Sequence, residues 1–415
     1  MALTHGAAPP VPARAQRPWG AQLGVLWAGQ SLTVMGSSFV MPFLPIMVAN
    51  TGVSGSAVAL WTGALTTLTQ TGMAIFSPIW GRIADHTGRK PMMVRAIFGA
   101  GITTVGIALA PNVYVMVVLF FARGALAGIV SAGAALVTTM APAERVAHSL
   151  GVLQSSLYIG STAGPAIGAV LIPLAGLRSS FLIAGALQLV ASLMVARYVE
   201  ERFVREDAAA RRGRAHGRRG LRDAGVAGTV GVLLMMGLLA QAVASGFGAT
   251  MPLRVRSLAS PQHLAVAVGV IAALQASGAA VSALMIGRMG RRAGYRKVLV
   301  ASSVWAMLIC TALVLTPSLV LIGLLASLIG LALGAFVPAV NTLLGRVSPP
   351  AMRAEVFGYA GTAFALGGLV APITCTSLIA GTGSTAAPFV LLAGLELLAA
   401  VWAARSLQRL ATVRG

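Results

Sequence analysis

The stretch Gly81-Arg82-Ile83-Ala84-Asp85-His86-Thr87-Gly88-Arg89-Lys90 decides the fold of this chain. It joins two long apolar segments, about 57–80 and 91–110, and holds the only acidic residue in positions 1–143. So short a connection predicts a tight helical hairpin, because its glycines permit a turn and a close approach of the two backbones. Asp85 and Arg89 would then form a charged cluster where both helices leave an apolar phase.

The composition is that of a membrane protein. Of 415 residues, 57% are hydrophobic and only 9% are charged, and the mean hydropathy is +0.87. Soluble proteins carry about 25% charged residues. A bilayer span needs about 20 helical residues, so twelve spans fit the length. The apolar segments are too long for the strands of a β-barrel, and they do not alternate between apolar and polar residues as such strands do. The sequence therefore predicts an all-α integral membrane protein with 12 transmembrane helices.

The net charge of +21 indicates orientation in the membrane. In a soluble protein this charge would favour a nucleic-acid partner, but here 26 of the 30 Lys and Arg residues fall on one side of the predicted spans. By the positive-inside rule that side is cytoplasmic. We therefore expect a multi-pass protein of the cell membrane, with both termini in the cytoplasm, lipid contacts and no nucleic-acid partner.

The chain also contains an internal repeat. A weaker copy of the loop occurs at Gly287–Lys297, 206 residues on, and Pro142, Gly151 and Pro165 each have a counterpart 207 residues later. A fixed offset of half the chain predicts two homologous six-helix halves. The predicted division is a tail (1–18), the first half (19–199), a cytoplasmic linker (200–225), the second half (226–404) and a second tail (405–415).

The loop resembles the signature G-x-L-A-D-R-x-G-R-K of the major facilitator superfamily, with Ile83 for Leu and His86 for Arg. The resemblance implies two pseudo-symmetric halves that alternate access to a site between them. It also implies a conformational latch, in which Asp85 lies near the start of span 11 and stabilises the outward-open state while Arg89 pairs with Glu144. The latch residues are Gly81, Asp85, Gly88, Arg89, Lys90 and Glu144.

A small-residue pattern occupies span 5, where Gly160, Gly164 and Gly168 lie on one helix face beside Pro165. Such a face permits close helix packing, and ordinary packing is one interpretation. The pattern also resembles G-x-x-x-G-P-x-x-G-G, which in this superfamily is associated with exporters that act as antiporters; Ala169 replaces the last glycine. On that interpretation we expect the face to pack against span 8, across the interface of the halves.

Two charged residues lie inside predicted spans, where their burial is costly and usually functional. Arg123 in span 4 resembles the family arginine linked to proton coupling, although it could instead bond to nearby carbonyls. Glu396 in span 12 is a second proton-coupling candidate, because an apolar environment favours its neutral form. Spans 3, 6, 9 and 12 are peripheral in this superfamily, so a structural role stays open. Span 1 carries no acidic residue, which leaves the coupling ion open as well.

By the same resemblance, spans 1, 4, 7 and 10 line a central path with 2, 5, 8 and 11 beside them. Sparse polar groups in an apolar cavity favour amphipathic cargo over sugars. For each candidate lining residue, packing is an equal alternative. These candidates are Gln30, Phe39, Gln70, Tyr158, Gln241, Phe247, Gln275, Asn341 and Phe364.

The sequence thus resembles the drug:proton antiporter branch, which implies export of small drug-like molecules in exchange for protons. The alternative is a facilitator or symporter that imports a small organic solute. An enzyme would need clustered acidic or histidine side chains, so we expect no catalytic residue, no metal and no cofactor. Cys310 and Cys375 lie in apolar segments and are expected to pack rather than react. We expect the protein to act as a monomer.

Overall fold

The computed structural model describes residues 18–201, 227–348 and 353–406, and the predicted tails and most of the predicted linker lie outside them. The described residues form long helices joined by short turns, with a 3-10 turn at Ala143–Arg145. The helices are α1 (Trp19–Ala49), α2 (Ala57–Thr87), α3 (Arg89–Leu109), α4 (Val113–Ala125), α5 (Ile129–Met140), α6 (Val146–Ala175), α7 (Leu177–Tyr198), α8 (Ala227–Arg256), α9 (Leu264–Ala293), α10 (Tyr295–Leu315), α11 (Leu319–Val347), α12 (Arg353–Thr382) and α13 (Ala387–Ser406).

Among the described residues, eleven segments are long and apolar enough to cross a membrane, with α4 and α5 counted together. The one predicted span that is not among these eleven is span 2, which corresponds to α2. This helix has 31 residues and would be about 46 Å long. Its hydropathy is reduced by a run of threonines. Four of these donate to carbonyls one turn earlier, which satisfies their hydroxyls within the helix. The twelve-helix prediction is confirmed.

Single glycines turn the chain between neighbouring helices. Gly88 ends α2 and begins α3 with φ +96°, and Gly294 does the same between α9 and α10 with φ +84°. Residues with a side chain rarely adopt this left-handed backbone conformation, so glycine is the residue that permits so sharp a corner. The hairpin predicted from the signature loop is therefore present, and it recurs in the second half.

The packing of the helices repeats in the two halves. In the first half α1 packs on α6, α2 on α4 and α3 on α7. In the second half α8 packs on α12, α9 on α11 and α10 on α13. The two most extensive contacts between the halves are α6 with α9 and α2 with α12, and α1 adds smaller contacts with α8 and α9. This arrangement has the two-fold pseudo-symmetry that the sequence repeat predicts, and it places an interface through the middle of the bundle.

Candidate functional site

A cavity of about 380 Å³ lies between the halves. Helices α1 and α6 form one side of it, and α8 and α9 form the other. Among the described residues, its walls carry no charged side chain, and their polar side chains are Ser38, Ser161 and Gln275. The other lining residues are apolar: Met41, Pro42, Pro165, Gly248, Met251, Pro252, Val255, Val268, Ile271, Ala272, Ala276 and Ala279. The cavity is large enough for a small drug-sized molecule.

A polar layer joins the halves at α2 and α12. The Thr67 hydroxyl donates to the carbonyl of Leu369 at 2.9 Å. One residue earlier on α12, Gly368 lies against the amide of Gln70 and the side chain of Gln241. Three helices, α2, α8 and α12, therefore meet around a glycine. Gln70 and Gln241, both predicted to line the path, lie together at this contact.

Two aromatic residues predicted to line the path are not among the described residues that line the cavity between the halves. Phe39 is 2% exposed and packs on Phe43 and Phe181, while Phe247 is fully buried against Phe389. The prediction was wrong for these rings because each packs inside its own half.

Gln30 is also misplaced by the prediction. It is 1% exposed and donates to the Leu153 carbonyl at 3.4 Å, between α1 and α6. Its amide therefore joins two helices of the first half.

The other three predicted lining residues are half-buried. Tyr158 lies on α6, Asn341 on α11, and Phe364 on α12, where its ring packs against Gly237 of α8. Their contact with a substrate stays a prediction.

The glycine face of α6 packs within the first half. A Cβ at Gly160 would meet α1 at Ser31, Val34 and Met35, and one at Gly164 would meet Ser38. At Gly168 it would meet the rings of Phe39 and Phe43, again on α1. The Ser38 hydroxyl also donates to the Gly160 carbonyl at 2.9 Å. The expectation that this face packs on span 8 was wrong: it lies on the side of α6 that faces α1.

The close contact between α6 and α9 uses a different glycine. A Cβ at Gly269 of α9 would lie 2.6 Å from both the Ala169 Cβ and the Pro165 carbonyl oxygen. The residue that replaces the last motif glycine, Ala169, is thus accommodated by a glycine on the opposite half. The approach across the interface therefore depends on Gly269.

Arg123 is buried, with 7% of its surface exposed, at the end of α4. Its Nη1 donates to the Thr104 hydroxyl of α3 at 2.8 Å. The residue therefore lies inside the first half, where its positive charge is held between α3 and α4.

Glu396 is 1% exposed on α13. Its carboxyl group interacts with the Ser303 hydroxyl of α10, although neither group makes a hydrogen bond of good geometry. Helix α13 packs on α8, α10 and α12, all in the second half. The carboxyl group is thus enclosed on the outer side of that half, away from the cavity between the halves.

The start of α3, beside the signature loop, is hydrogen-bonded to the end of the first half. The backbone N–H groups of Arg89 and Lys90, at the start of α3, donate to the two carboxylate oxygens of Glu201 at 2.8 Å each. The Glu200 N–H donates to Gln22 Oε1 at 2.9 Å. Sequence reasoning missed Glu201, because it was counted with the linker. The side chain of Asp85 lies outside the described part, and Glu144 is exposed, so the latch stays a prediction.

The two ends of the bundle differ in how closely the described glycines approach the opposite half. A Cβ added at Gly81, Gly151 or Gly358 would meet nothing within 4 Å, and these glycines are exposed. The contacts of Gly269 and Gly63 with the opposite half lie at the other end. Among the described residues, the close glycine contacts between the halves therefore lie at the end opposite the loop.

The helix pair α4 and α5 is interrupted at residues 126–128. Trp80 Nε1 donates to the Ala125 carbonyl at 2.6 Å and Arg95 Nη2 to the Ala127 carbonyl at 3.0 Å. The guanidinium of Arg95 lies 3.7 Å from the centre of the Trp80 ring. Sequence reasoning counted Arg95 with the loop charges, although its place inside the apolar segment 91–110 marked it as a charge within a span.

Known proteins resemble this chain along most of its length. The model of the Major Facilitator Superfamily matches residues 26–261 and 233–412. The Multi-drug resistance efflux pump PmrA of Streptococcus pneumoniae serotype 4 is 32% identical over 363 residues, which cover 88% of this chain and 90% of that protein. The Multidrug resistance protein MdtG of Enterobacter lignolyticus is 31% identical over 393 residues, 94% of this chain and 93% of that protein.

Solved structures share the fold. The crystal structure of a bacterial homolog to the human lysosomal transporter Spinster, in an inward-facing and occupied conformation, has a TM-score of 0.78 at 15% identity and covers 94% of this chain and 97% of its own. A crystal structure of the nucleoside transporter NupG has a TM-score of 0.76 at 13% identity, with 93% and 99% covered. The family model and the relatives of 31–32% identity, which cover most of the chain, show that it is a transporter of the major facilitator superfamily.

Proposed function

We propose that this protein exports small amphipathic compounds from the cytoplasm by alternating access, in exchange for protons. The observation that carries the proposal is the cavity of about 380 Å³ between the halves, to which no ionisable side chain of the described residues contributes. The names of the relatives that cover most of the chain, which are multidrug efflux or resistance proteins, support the same cargo class.

The lining of the cavity favours varied apolar cargo. Met41 and Met251 bring flexible, polarisable thioethers from both halves, and such side chains adapt to ligands of different shapes. Three polar side chains cannot satisfy the dense hydrogen bonding of a sugar, whose unpaired hydroxyls would be costly to bury. A molecule with a large apolar body and few polar groups fits these walls better.

Alternating access is supported by the asymmetry of the interface. The halves touch at Gly269 and at the bond from Thr67 to Leu369, and they are apart around Gly81 and Gly151. With the loop end in the cytoplasm, cargo would enter from that side and leave when the opposite contacts open. The orientation in the cell membrane is supported by the bias of basic residues.

Few side chains among the described residues could couple transport to the movement of protons. Arg123 stays charged, so it can bias the protonation of neighbouring groups or water but does not itself release the proton. Its buried place between α3 and α4 supports an electrostatic role. Glu396 can carry a proton, but it is enclosed on the outer side of the second half. We therefore propose Arg123 as the coupling residue.

Transport by inside-out vesicles tests the function. With an imposed pH gradient, acid inside, the vesicles should accumulate a fluorescent amphipathic dye against its concentration gradient, and collapse of the gradient should release it. Ala276→Leu would narrow the cavity and should reduce the uptake, whereas Ala301→Leu on the exposed face of α10 is the matched control. Dye movement that only follows its own gradient, or inward transport in intact cells, would favour the import alternative.

A further inference from the structure

Three helices that enclose the cavity between the halves carry a proline in the wall itself. Pro42 of α1, Pro165 of α6 and Pro252 of α8 each lie inside a helix and line the cavity. Proline has no backbone N–H, so the carbonyl group four residues earlier loses its regular helical donor. Each of these prolines therefore leaves one backbone acceptor without its usual partner.

The three carbonyl groups belong to residues that line the same cavity, namely Ser38, Ser161 and Gly248. A helical carbonyl points along the helix axis toward the residue four positions later. In each pair both that residue, the proline, and the residue with the carbonyl group are part of the wall. The three acceptors therefore lie on the cavity side of α1, α6 and α8, one on each helix.

Gly248 shows most directly that backbone forms part of this wall. Because glycine has no side chain, the wall at this position consists of main-chain atoms. The residue is exposed, and a Cβ added to it would meet nothing within 4 Å. The backbone one turn before Pro252 is therefore open to a molecule in the cavity.

The two hydroxyl groups of the wall offer acceptors rather than donors. The Ser38 hydroxyl donates to the Gly160 carbonyl at 2.9 Å, and the Ser161 hydroxyl donates to the Tyr158 carbonyl at 3.1 Å. A hydroxyl group has one hydrogen and two lone pairs. Both serines thus use their hydrogen within the fold and keep lone pairs for a ligand.

Gln275 is the remaining polar side chain of the wall. It is half-buried, and its amide makes no hydrogen bond with any described residue. Its backbone is held against α11, where a Cβ added at Gly330 would meet the Gln275 carbonyl oxygen. The amide offers N–H donors and one acceptor oxygen. Among the described lining residues, acceptor groups therefore outnumber free donor groups.

We propose that the cavity selects amphipathic cargo whose polar group carries N–H donors, as an amide or an ammonium group does. This inference rests on the proposed function, because it names the polar group of the compounds that the protein would export. The N–H groups of the cargo would bond to the carbonyls that the three prolines leave without a helical donor. Cargo with N-methyl groups in their place would leave these acceptors unpaired, which is unfavourable in an apolar wall.

Isothermal titration calorimetry of the purified full chain in nanodiscs tests the proposal with two matched pairs of ligands. The neutral pair is naphthamide and its N,N-dimethyl derivative, and the cationic pair is naphthylmethylammonium and its N,N,N-trimethyl derivative. The N–H member should bind about tenfold more tightly, because methylation removes hydrogen bonds and keeps the charge. A preference in the neutral pair alone would identify amides as the cargo class, and one in the cationic pair alone would identify ammonium compounds.

Equal binding within both pairs, tighter binding of the methylated members, or no binding of any of the four ligands would overturn the proposal. The measurement needs no pH gradient, so it is independent of export. Vesicles that accumulate dye while both pairs bind equally would contradict this inference and leave the proposed function intact. A clear N–H preference without dye accumulation would support this inference and contradict the exporter.

Pro252→Ala tests whether a backbone carbonyl is the acceptor. The restored N–H would bond to the Gly248 carbonyl within α8, so the N–H preference should fall by about threefold or more. Pro173→Ala restores the same kind of bond at an exposed position of α6 outside the cavity wall. It is the matched control and should keep the full preference.

Gly248→Val provides a second variant in case Pro252→Ala does not fold. Its side chain would cover the backbone at a position with open space around it, so it should also lower the N–H preference. An unchanged preference in Pro252→Ala or, if that variant does not fold, in Gly248→Val would contradict the assignment. Thermal unfolding of each variant without ligand separates a loss of binding from a loss of fold.

Discussion

Individual charged residues inside the bundle differ in how their charge is compensated. Arg123 donates to Thr104, Arg95 donates to Ala127 and stacks on Trp80, and Glu396 lies beside the Ser303 hydroxyl. Charged groups in an apolar phase are costly, so each of these residues needs either a compensating contact or a neutral form. The two arginines stay charged, whereas the carboxylic acid can be neutral.

Arg123→Gln is expected to abolish proton-driven accumulation of dye, because it removes the fixed positive charge between α3 and α4. Downhill exchange of dye across the same vesicles should persist, since the cavity between the halves is unchanged. Thr104→Val is the matched control: it removes the bond to Arg123 but keeps the charge, and it should retain most transport. Full accumulation by a well-expressed Arg123→Gln would exclude Arg123 from coupling.

Glu396→Gln is expected to transport normally, because it replaces a buried neutral acid by a neutral amide of the same shape on the outer side of the second half. Dye accumulation and its dependence on the pH gradient would be measured beside the unaltered protein. Loss of accumulation with normal downhill exchange would instead show that Glu396 carries the coupling proton.

At the scale of the helix, single side chains matter most at the helix ends, because they can bind backbone groups that have no partner within the helix. The start of α3 has no side-chain cap from its own N-cap residue, Gly88. Its first two N–H groups are instead bound by Glu201, more than a hundred residues later. A carboxylate at a helix start is stabilised by the aligned peptide dipoles. The contact therefore holds the end of the first half against the signature loop.

Glu201→Ala should destabilise this helix start by about 1–2 kcal/mol. The backbone amides of Arg89 and Lys90 should exchange hydrogen faster, and the melting temperature should fall. Glu200→Ala is the matched control, because the Glu200 backbone N–H, rather than its side chain, bonds to Gln22. Equal exchange rates in the two variants would contradict a role for the Glu201 carboxylate.

At the scale of the whole molecule, the close glycine contacts between the two halves lie at one end of the described structure. Gly269 allows α9 to approach α6 at that end, whereas Gly151 at the start of α6 has open space around it. In an alternating-access cycle these ends exchange roles. Bulky residues at the two glycines should therefore act on opposite conformations.

Gly269→Leu should disfavour the conformation described here, and Gly151→Leu should favour it by obstructing closure of the loop end. Overpacking costs about 1–3 kcal/mol, enough for about a tenfold change in population. Spin-label distances across each end would measure the two shifts. Gly394→Leu, on an open face of α13, is the control and should change neither distance. Shifts in the same direction for both variants would contradict alternating access, in which one end closes as the other opens.

The orientation of the whole molecule in the membrane predicts which loops are accessible. A cysteine at position 212, outside the described residues, should react with an impermeant maleimide in inside-out vesicles and not in intact cells, because 26 of the 30 basic residues lie on its side. Arg178→Cys, an exposed residue near the corner of α6 and α7, should show the reverse. Labelling of position 212 in intact cells would invert the topology.

The sequence by itself determined the number of helices, the repeat of two halves and the hairpin at Gly88. It did so because lipid requires every backbone group to be satisfied within helices or a closed barrel, and because duplicated landmarks preserve their spacing. The burial of Arg123 and Glu396 followed from the same reasoning, since both lie in the middle of apolar segments.

Only the tertiary structure decided which face of each helix meets which neighbour. In a membrane protein the lipid-facing and core-facing sides are both apolar, so composition does not distinguish them: Leu174 is 79% exposed and Leu65 is fully buried. For this reason the glycine face of α6 was assigned to the wrong partner, and Phe39 and Phe247 were assigned to a cavity. The contacts of Glu201 and Arg95 join residues distant in the chain, and the rotation and packing of whole helices bring them together.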